Sequence, residues 1–202
     1  MSGRPPVIGL AGGIGAGKSQ VAAMLAELGC LVSDSDADAR AVFAEPSVIE
    51  TLRSWWGDEV VADDGTIERS EVARRVFADP GERDRLERLV HPSIHARRRA
   101  RFEAAGPGTR ALVIDAPLLF EAGLDAECDA ILFVDAPLEV RLERVRRHRD
   151  WDEAELERRE AAQWAVDRKR ERADAVVENA VEDDPTLVRR VDEALQELLG
   201  GG

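Results

Sequence analysis

The sequence predicts an α/β fold in which a five-stranded parallel sheet is flanked by helices. Three observations carry this: five short apolar runs, helix-favouring stretches between them, and a glycine-rich loop after the first run. Apolar runs this short, bounded by Gly, Asp or Pro, read as strands buried on both faces. Helices alternating with such strands make βαβ units.

The elements follow in order. Residues 7–11 form the first strand. From Lys18 to Leu28, Val21, Leu25 and Leu28 recur at helical spacing, and Gly29 stops the helix. Residues 31–33 are the second strand. The interval 41–108 shows no strand pattern but carries apolar residues at helical spacing and a turn at Asp63-Asp64-Gly65, so it reads as a helical insertion beside the sheet. Within it, His91-Pro92 marks a helix break, because the residue before proline disfavours the helical region. Gly106-Pro107-Gly108 returns the chain to the strands at 111–114, 130–134 and 175–177. Residues 139–172 are densely charged with few apolar anchors, which suits a solvated helical hairpin or a mobile flap. The ends, Met1–Arg4 and Gly200–Gly202, read as disordered. The whole is one domain, 1–202: a core of 1–40, 109–138 and 173–202, a helical region 41–108 and a lid 139–172.

Composition narrows the function classes. A chain of 202 residues buries a core without disulfide or metal staples. Its two cysteines, Cys30 and Cys128, match no zinc or redox spacing, which fits a reduced, cytoplasmic protein. No apolar signal segment opens the chain and no run of about 18 apolar residues occurs, so no membrane partner is expected. The net charge of −13 argues against a nucleic-acid partner. All but two of the 28 lysines and arginines are arginine, the exceptions being Lys18 and Lys169. Nothing in the sequence requires more than one subunit.

The chemistry begins at Gly12-Gly13-Ile14-Gly15-Ala16-Gly17-Lys18-Ser19, a full GxxxxGK[ST] phosphate-loop pattern between an apolar strand and an amphipathic helix. Glycines let successive backbone N–H groups converge on an anion, and the helix adds its N-terminal dipole. Gly13 through Gln20 therefore form the predicted nucleoside triphosphate cradle. Lys18 is placed on the β and γ phosphates and the Ser19 hydroxyl on Mg²⁺. No NKxD motif is present, which argues against a GTPase of the familiar kind.

Beyond the loop, Ser33-Asp34-Ser35-Asp36-Ala37-Asp38-Ala39-Arg40 is similar to a DADxxAR signature. There follow Asp64-Gly65-Thr66-Ile67-Glu68-Arg69, Val76-Phe77, and Leu86-Glu87-Arg88-Leu89-Val90-His91-Pro92. Then come Asp115-Ala116-Pro117-Leu118-Leu119-Phe120-Glu121, Ala161-Ala162-Gln163, and Ala173-Asp174 with Asn179. This collinear set, from about residue 7 to 180, resembles the dephospho-CoA kinases. The resemblance implies a P-loop kinase fold with a helical acceptor-binding insertion and a helical lid. It also implies ATP as co-substrate, Mg²⁺, and dephospho-CoA as the small-molecule partner phosphorylated on its 3′-hydroxyl. By residue match it makes Asp36 the base and puts Arg144 on the ATP phosphates, Asn179 in the segment near the adenine, and Arg40, His91, Pro117, Leu118 and Leu119 around the acceptor. Ser35 stands where the family has Ala, and Gln20 where it has Thr. The second lid arginine is Arg147 or Arg149, and Asp150 after Arg149 favours the latter.

Each assignment has a plainer reading. Asp115 either assists Mg²⁺ through water or ends a strand in a turn. His91 either touches substrate or marks the helix break, and His95 is a surface residue. Arg158, Arg159, Arg168, Arg170 and Arg172 pair with glutamates at helical spacing on a solvated face. Trp151 and Trp164 stack on adenine or pack the lid; Trp55-Trp56 pack the insertion or line the acceptor site. Asp36 stands before the helix-favouring run 37–44, where Asp also serves as N-cap. Asp34, Asp36 and Asp38 share a face if the strand stays extended, and replacement of Asp38 is expected to lower turnover much less than replacement of Asp36. A kinase of the nucleoside monophosphate type, or a non-catalytic ATP-dependent switch, would share the same core.

Overall fold

The computed structural model describes residues 4–200. Of the two ends that read as disordered, Met1–Gly3 and Gly201–Gly202 lie outside the described residues, whereas Arg4 pairs with Asp129 and Gly200 closes the last helix. In chain order the elements are β1 (Val7–Gly12), α1 (Lys18–Glu27), β2 (Leu31–Asp34), α2 (Ser35–Phe43), α3 (Pro46–Trp56), α4 (Arg69–Ala78) and α5 (Pro80–Glu103). There follow β3 (Leu112–Asp115), β4 (Ala130–Asp135), α6 (Leu138–Arg149), α7 (Glu153–Glu160), α8 (Val166–Glu171), β5 (Ala175–Glu178) and α9 (Leu187–Gly200). The chain divides into two compact units, one of residues up to Asp34 and from Ala105 onward, the other Ser35–Ala104.

The first unit is the sheet. Its strands are all parallel in the order β2-β3-β1-β4-β5, matching the five predicted runs to within a residue or so at each end. β1 is central and every residue of it is buried, as the unbroken apolar run requires. β5 lies at the edge and alternates, with Ala175 and Val177 buried and Val176 and Glu178 exposed. α1 stops as expected: Gly29 adopts φ 90, and the Cys30 N–H donates to the Leu25 carbonyl at 2.9 Å. Val21 and Leu25 of α1 and Leu187, Val191 and Leu195 of α9 complete this core.

The second unit is helical and has its own core of Val42, Leu52, Trp56, Val60, Val72, Leu86 and Val90. The Trp56 indole N–H donates to Glu82 at 2.7 Å, Trp55 meets it edge-on, and the Arg85 guanidinium covers Trp55 at 3.8 Å. Trp56 thus takes the packing role. The turn at Asp64-Gly65 closes a single antiparallel bridge, Val61 to Ile67, with the Thr66 N–H held by the Asp64 carboxylate at 2.9 Å.

Three expectations need correction. The helical unit begins at Ser35 and ends at Ala104, against the expected 41 and 108, because α2 packs along α5. Since the chain turns helical at Ser35, Asp34, Asp36 and Asp38 do not share an extended face, and Asp36 sits in the first turn of α2 instead of capping it. His91-Pro92 does not break a helix: Pro92 lies inside the 24-residue α5. Lacking an N–H, Pro92 forfeits one ladder bond to the Arg88 carbonyl, which the rest of a long packed helix absorbs. Asp38, whose replacement is expected to cost little turnover, is buried and paired with Arg101 at 2.9 Å, so its replacement bears on stability.

Removing one partner of a buried pair strands the other, although here Arg101 is about a third exposed and water can answer it. Asp38→Ser is therefore expected to lower stability by about 1–2 kcal/mol in urea denaturation. A midpoint unchanged from that of the unaltered protein would show that this pair does not hold α2 to α5.

Candidate active site

At the carboxyl end of β1 the chain makes a tight loop before α1. Gly15 and Gly17 take φ 80 and φ 90, the left-handed region that side chains avoid. Neither position has room for a Cβ: at Gly15 it would lie 2.7 Å from the Arg141 carbonyl oxygen, and at Gly17 it would run into the Asn179 amide. Gly15 and Gly17 are thus required twice over, by backbone conformation and by close approach.

A loop that turns its N–H groups toward an anion must turn its carbonyls away, and each buried carbonyl needs a donor. Here all five carbonyls of residues 13–17 have one. Gly13 is answered by the Ala16 N–H at 3.1 Å, and Gly17 by those of Gln20 and Val21 at 3.0 and 3.2 Å. Ile14 accepts from Arg141 at 3.3 Å, Gly15 from Arg144 at 3.4 Å, and Ala16 from both Arg144 at 3.2 Å and the Asn179 amide at 2.9 Å. Asn179 is wholly buried, accepts from Arg144 at 3.2 Å and reaches Gln20 at 3.3 Å. Its side chain therefore braces the loop.

Lys18 is the first residue of α1, and its Nζ lies 3.5 Å from Asp115 Oδ1 at the end of β3. Asp115 is in register with Leu10 of β1 and with Asp34 of β2, so two carboxylates and the lysine meet at the carboxyl edge of the sheet, where open α/β sheets bind ligands. Beside the loop lies a cavity of about 310 Å³, lined by Gly15, Gly17, Lys18, Ser19, Gln20, Arg144, Val145, His148, Arg149, Glu182 and Asp183. Ser19 and Gln20 are exposed in the first turn of α1. Arg149 lines this cavity, whereas Arg147 is paired with Glu143 and Glu182. The donor set fits Mg²⁺, which takes one or two protein oxygens and completes its shell with phosphate and water: the Ser19 hydroxyl is accessible and the Asp115 carboxylate stands near Lys18. Among the described residues no group of three His, Cys, Asp or Glu gathers as a metal cage of its own.

The remaining predicted residues are distributed as follows. Asp36 and Arg40 are exposed on α2, one turn apart, and His91 is exposed on α5, both helices of the second unit. Pro117 and Leu118 are exposed after β3, but Leu119 is 2% exposed and packs against β1, so its side chain belongs to the core.

The charged stretch 139–172 is largely exposed, as its solvated reading expects, but several of its cations take partners other than glutamates at helical spacing. Arg158 and Arg159 do pair with Glu155 at helical spacing. Arg170 instead reaches Asp135, Arg172 reaches Asp125, and Arg168 lies 3.5 Å over the ring of Trp164. Trp164 also stacks on Phe120, outside the lid, whereas Trp151 lies under Arg149 and Arg159 within it. Two cations are buried outright. Arg141 pairs with Glu160, and Lys169 donates to Glu121 and Gln163, each at 2.9 Å. Burial works against ionised Glu121, but the Lys169 ammonium and the Trp164 N–H outweigh it and hold the carboxyl below its usual range. Composition gave no sign of either burial. The sole hint for the second was that Glu121 and Gln163 both fall in motif segments.

Set against known proteins, residues 6–184 match the sequence model of the dephospho-CoA kinase family. The chain is 44% identical to the dephospho-CoA kinase of Anaeromyxobacter dehalogenans, covering 96% of this chain and 93% of that one. It is 43% identical to that of Deinococcus radiodurans, covering 87% and 84%. A crystal structure from Thermus thermophilus superposes with a TM-score of 0.82 at 34% identity over 98% of both chains. The dephospho-CoA kinase structure from Campylobacter jejuni, at 18% identity, has a TM-score of 0.63 over 97% of this chain and 98% of that one, a likeness of fold.

The Glu121–Lys169 pair makes the first unit sensitive to acid. A carboxyl with a lowered folded pKa contributes stability above its ordinary value of 4.5 and loses it as pH falls through the lower folded value. Stability curves in urea should therefore fall less steeply below pH 4.5 for Glu121→Gln than for the unaltered protein. Parallel acid limbs would mean that Glu121 does not carry this dependence.

Proposed function

The chain belongs to the dephospho-CoA kinase family, and from that membership and the loop geometry we propose that it transfers the γ-phosphoryl group of ATP to the 3′-hydroxyl of dephospho-CoA. The products are coenzyme A and ADP. The observation that carries the reading is the phosphate loop itself, braced at every carbonyl and set beside Lys18, Asp115 and Arg144.

Phosphoryl transfer passes through a loose transition state with charge spread over the equatorial oxygens, so positioning and electrostatics supply most of the rate. The N–H groups from Gly13 to Ser19 take the β-phosphate side of the triphosphate, and Lys18 lies across the β and γ oxygens. Arg149 lines the same cavity and covers the γ-phosphate as charge develops, and Arg144, assigned there by its match to the family, joins it by exchanging the Gly15 and Ala16 carbonyls for phosphate oxygen. Ser19, with Asp115 acting through water, would hold Mg²⁺, which neutralises phosphate charge when bound. Asp36 orients the acceptor hydroxyl and receives its proton late in the transfer. Arg40, His91, Pro117 and Leu118 are assigned to acceptor binding by their match to the family motifs. Both cysteines are free, and among the described residues no helix is long and apolar enough to cross a membrane.

Two variants test the assignment. Lys18→Ala is expected to abolish useful turnover with the circular dichroism spectrum unchanged; activity within a few-fold of the unaltered enzyme would remove the loop from the mechanism. Asp36 is exposed in the first turn of α2, where a carboxylate adds about 0.3–1 kcal/mol by facing the helix dipole. Asp36→Ser should therefore shift the melting temperature little while ADP release in the presence of dephospho-CoA falls roughly 100- to 10,000-fold. If it melts early yet turns over normally, Asp36 serves the helix and the base is to be sought at Asp34 or Asp115.

A further inference from the structure

Arg141 is absent from every motif that marks this chain, yet it touches the phosphate loop. It is 7% exposed, and its guanidinium makes three contacts: Nε to the Ala136 carbonyl at 3.2 Å, Nη1 to the Ile14 carbonyl at 3.3 Å, and Nη1 to the Glu160 carboxylate. It also fills the space beside the loop, since a Cβ at Gly13 would come within 3.0 Å of Nη1. One guanidinium thus spans the end of β4, the apex of the loop and the last residue of α7.

We infer that Arg141 is a positioning residue for the phosphoryl-transfer site: it holds the Ile14 carbonyl outward so that the following N–H groups face the phosphates, with the partly buried Glu160 as its counter-ion. Ile14 is the one loop carbonyl of residues 13–17 answered neither by the backbone nor by the Arg144–Asn179 pair. Without that donor the peptide between Ile14 and Gly15 is free to rotate, and one N–H leaves the cradle. Cohesion alone does not account for the pair, because a buried ion pair adds little net stability over apolar groups of similar size. The comparison between ion pair and apolar replacement is therefore the way to separate the two roles. The inference rests on residues 12–19 binding nucleotide; failure of the unaltered protein to bind ADP would overturn that reading, a result distinct from those below.

The test uses the full chain with Arg141→Met, Glu160→Leu and both together, titrated calorimetrically with Mg·ADP and assayed for dephospho-CoA. Each single variant strands a charge and is expected to melt early. The double variant, with an apolar pair in the same place, should recover the melting temperature yet bind ADP about tenfold more weakly, as for one lost charge-assisted hydrogen bond. Its KM for dephospho-CoA should not change. Glu160→Gln keeps Arg141 on Ile14 and should hold ADP affinity within about threefold. ADP affinity restored in the double variant, or lost in Glu160→Gln as fully as in the double, would show that affinity follows packing or the ion pair and would overturn the inference.

Discussion

A peptide that offers its N–H groups to an anion has to dispose of its carbonyls on the other side, and much of the first unit is arranged around that requirement. The donors come from where the sheet order puts them. β4 is the neighbour of β1, so the helix after it, α6, brings Arg141 and Arg144 to the loop. β5 is the neighbour of β4, and the residue that ends it, Asn179, is fixed by its own N–H on the Asp135 carbonyl at 2.7 Å before its side chain reaches Ala16. Strand order, helix placement and loop conformation are therefore one problem. The sheet does not merely support the cradle from below; it delivers the groups that keep it open.

Arginine suits this work better than lysine. A guanidinium is planar, always charged, and presents several donors in fixed directions, so one side chain can satisfy two carbonyls and a carboxylate or amide at once. Arg144 does so with Gly15, Ala16 and Asn179. The same flat cation lies over aromatic rings elsewhere in the lid, Arg168 on Trp164 and Arg159 on Trp151. A stretch whose composition suggests a solvated flap thereby gains fixed contacts of cation on ring face at its surface, around Val145 and Leu156 as its buried apolar anchors.

The parts legible in sequence were those governed by local rules. The five strands, the Gly29 stop and the glycines of the loop follow from hydrophobic runs and from conformations reserved for glycine, and the motif order identified the family that the wider comparison then showed. What escaped depends on contacts distant along the chain. Arg141 and Lys169 look like their neighbours in a charged run, and only Glu160 and Glu121, placed by folding, make their burial tolerable. Asp38 resembled a spare member of an aspartate triplet until Arg101, far along α5, turned it into an anchor. Proline at position 92 misled for a related reason: its local penalty is real, but a helix packed along its length can bear it. For the acceptor residues the sequence offers roles by resemblance, while Leu119 shows how one member of a motif can serve the core.

The scarcity of lysine has a practical side. The chain carries only two side-chain primary amines. One, on Lys169, is 3% exposed and held by Glu121, and the other, on Lys18, is 16% exposed at the mouth of the phosphate loop. Acylating dyes, amine cross-linkers and resin esters therefore meet a surface almost bare of lysine targets, although it is dense in guanidinium groups. Attachment chemistry for this enzyme is better built on an introduced handle, and acylation at Lys18 would report on the mouth of the phosphate loop.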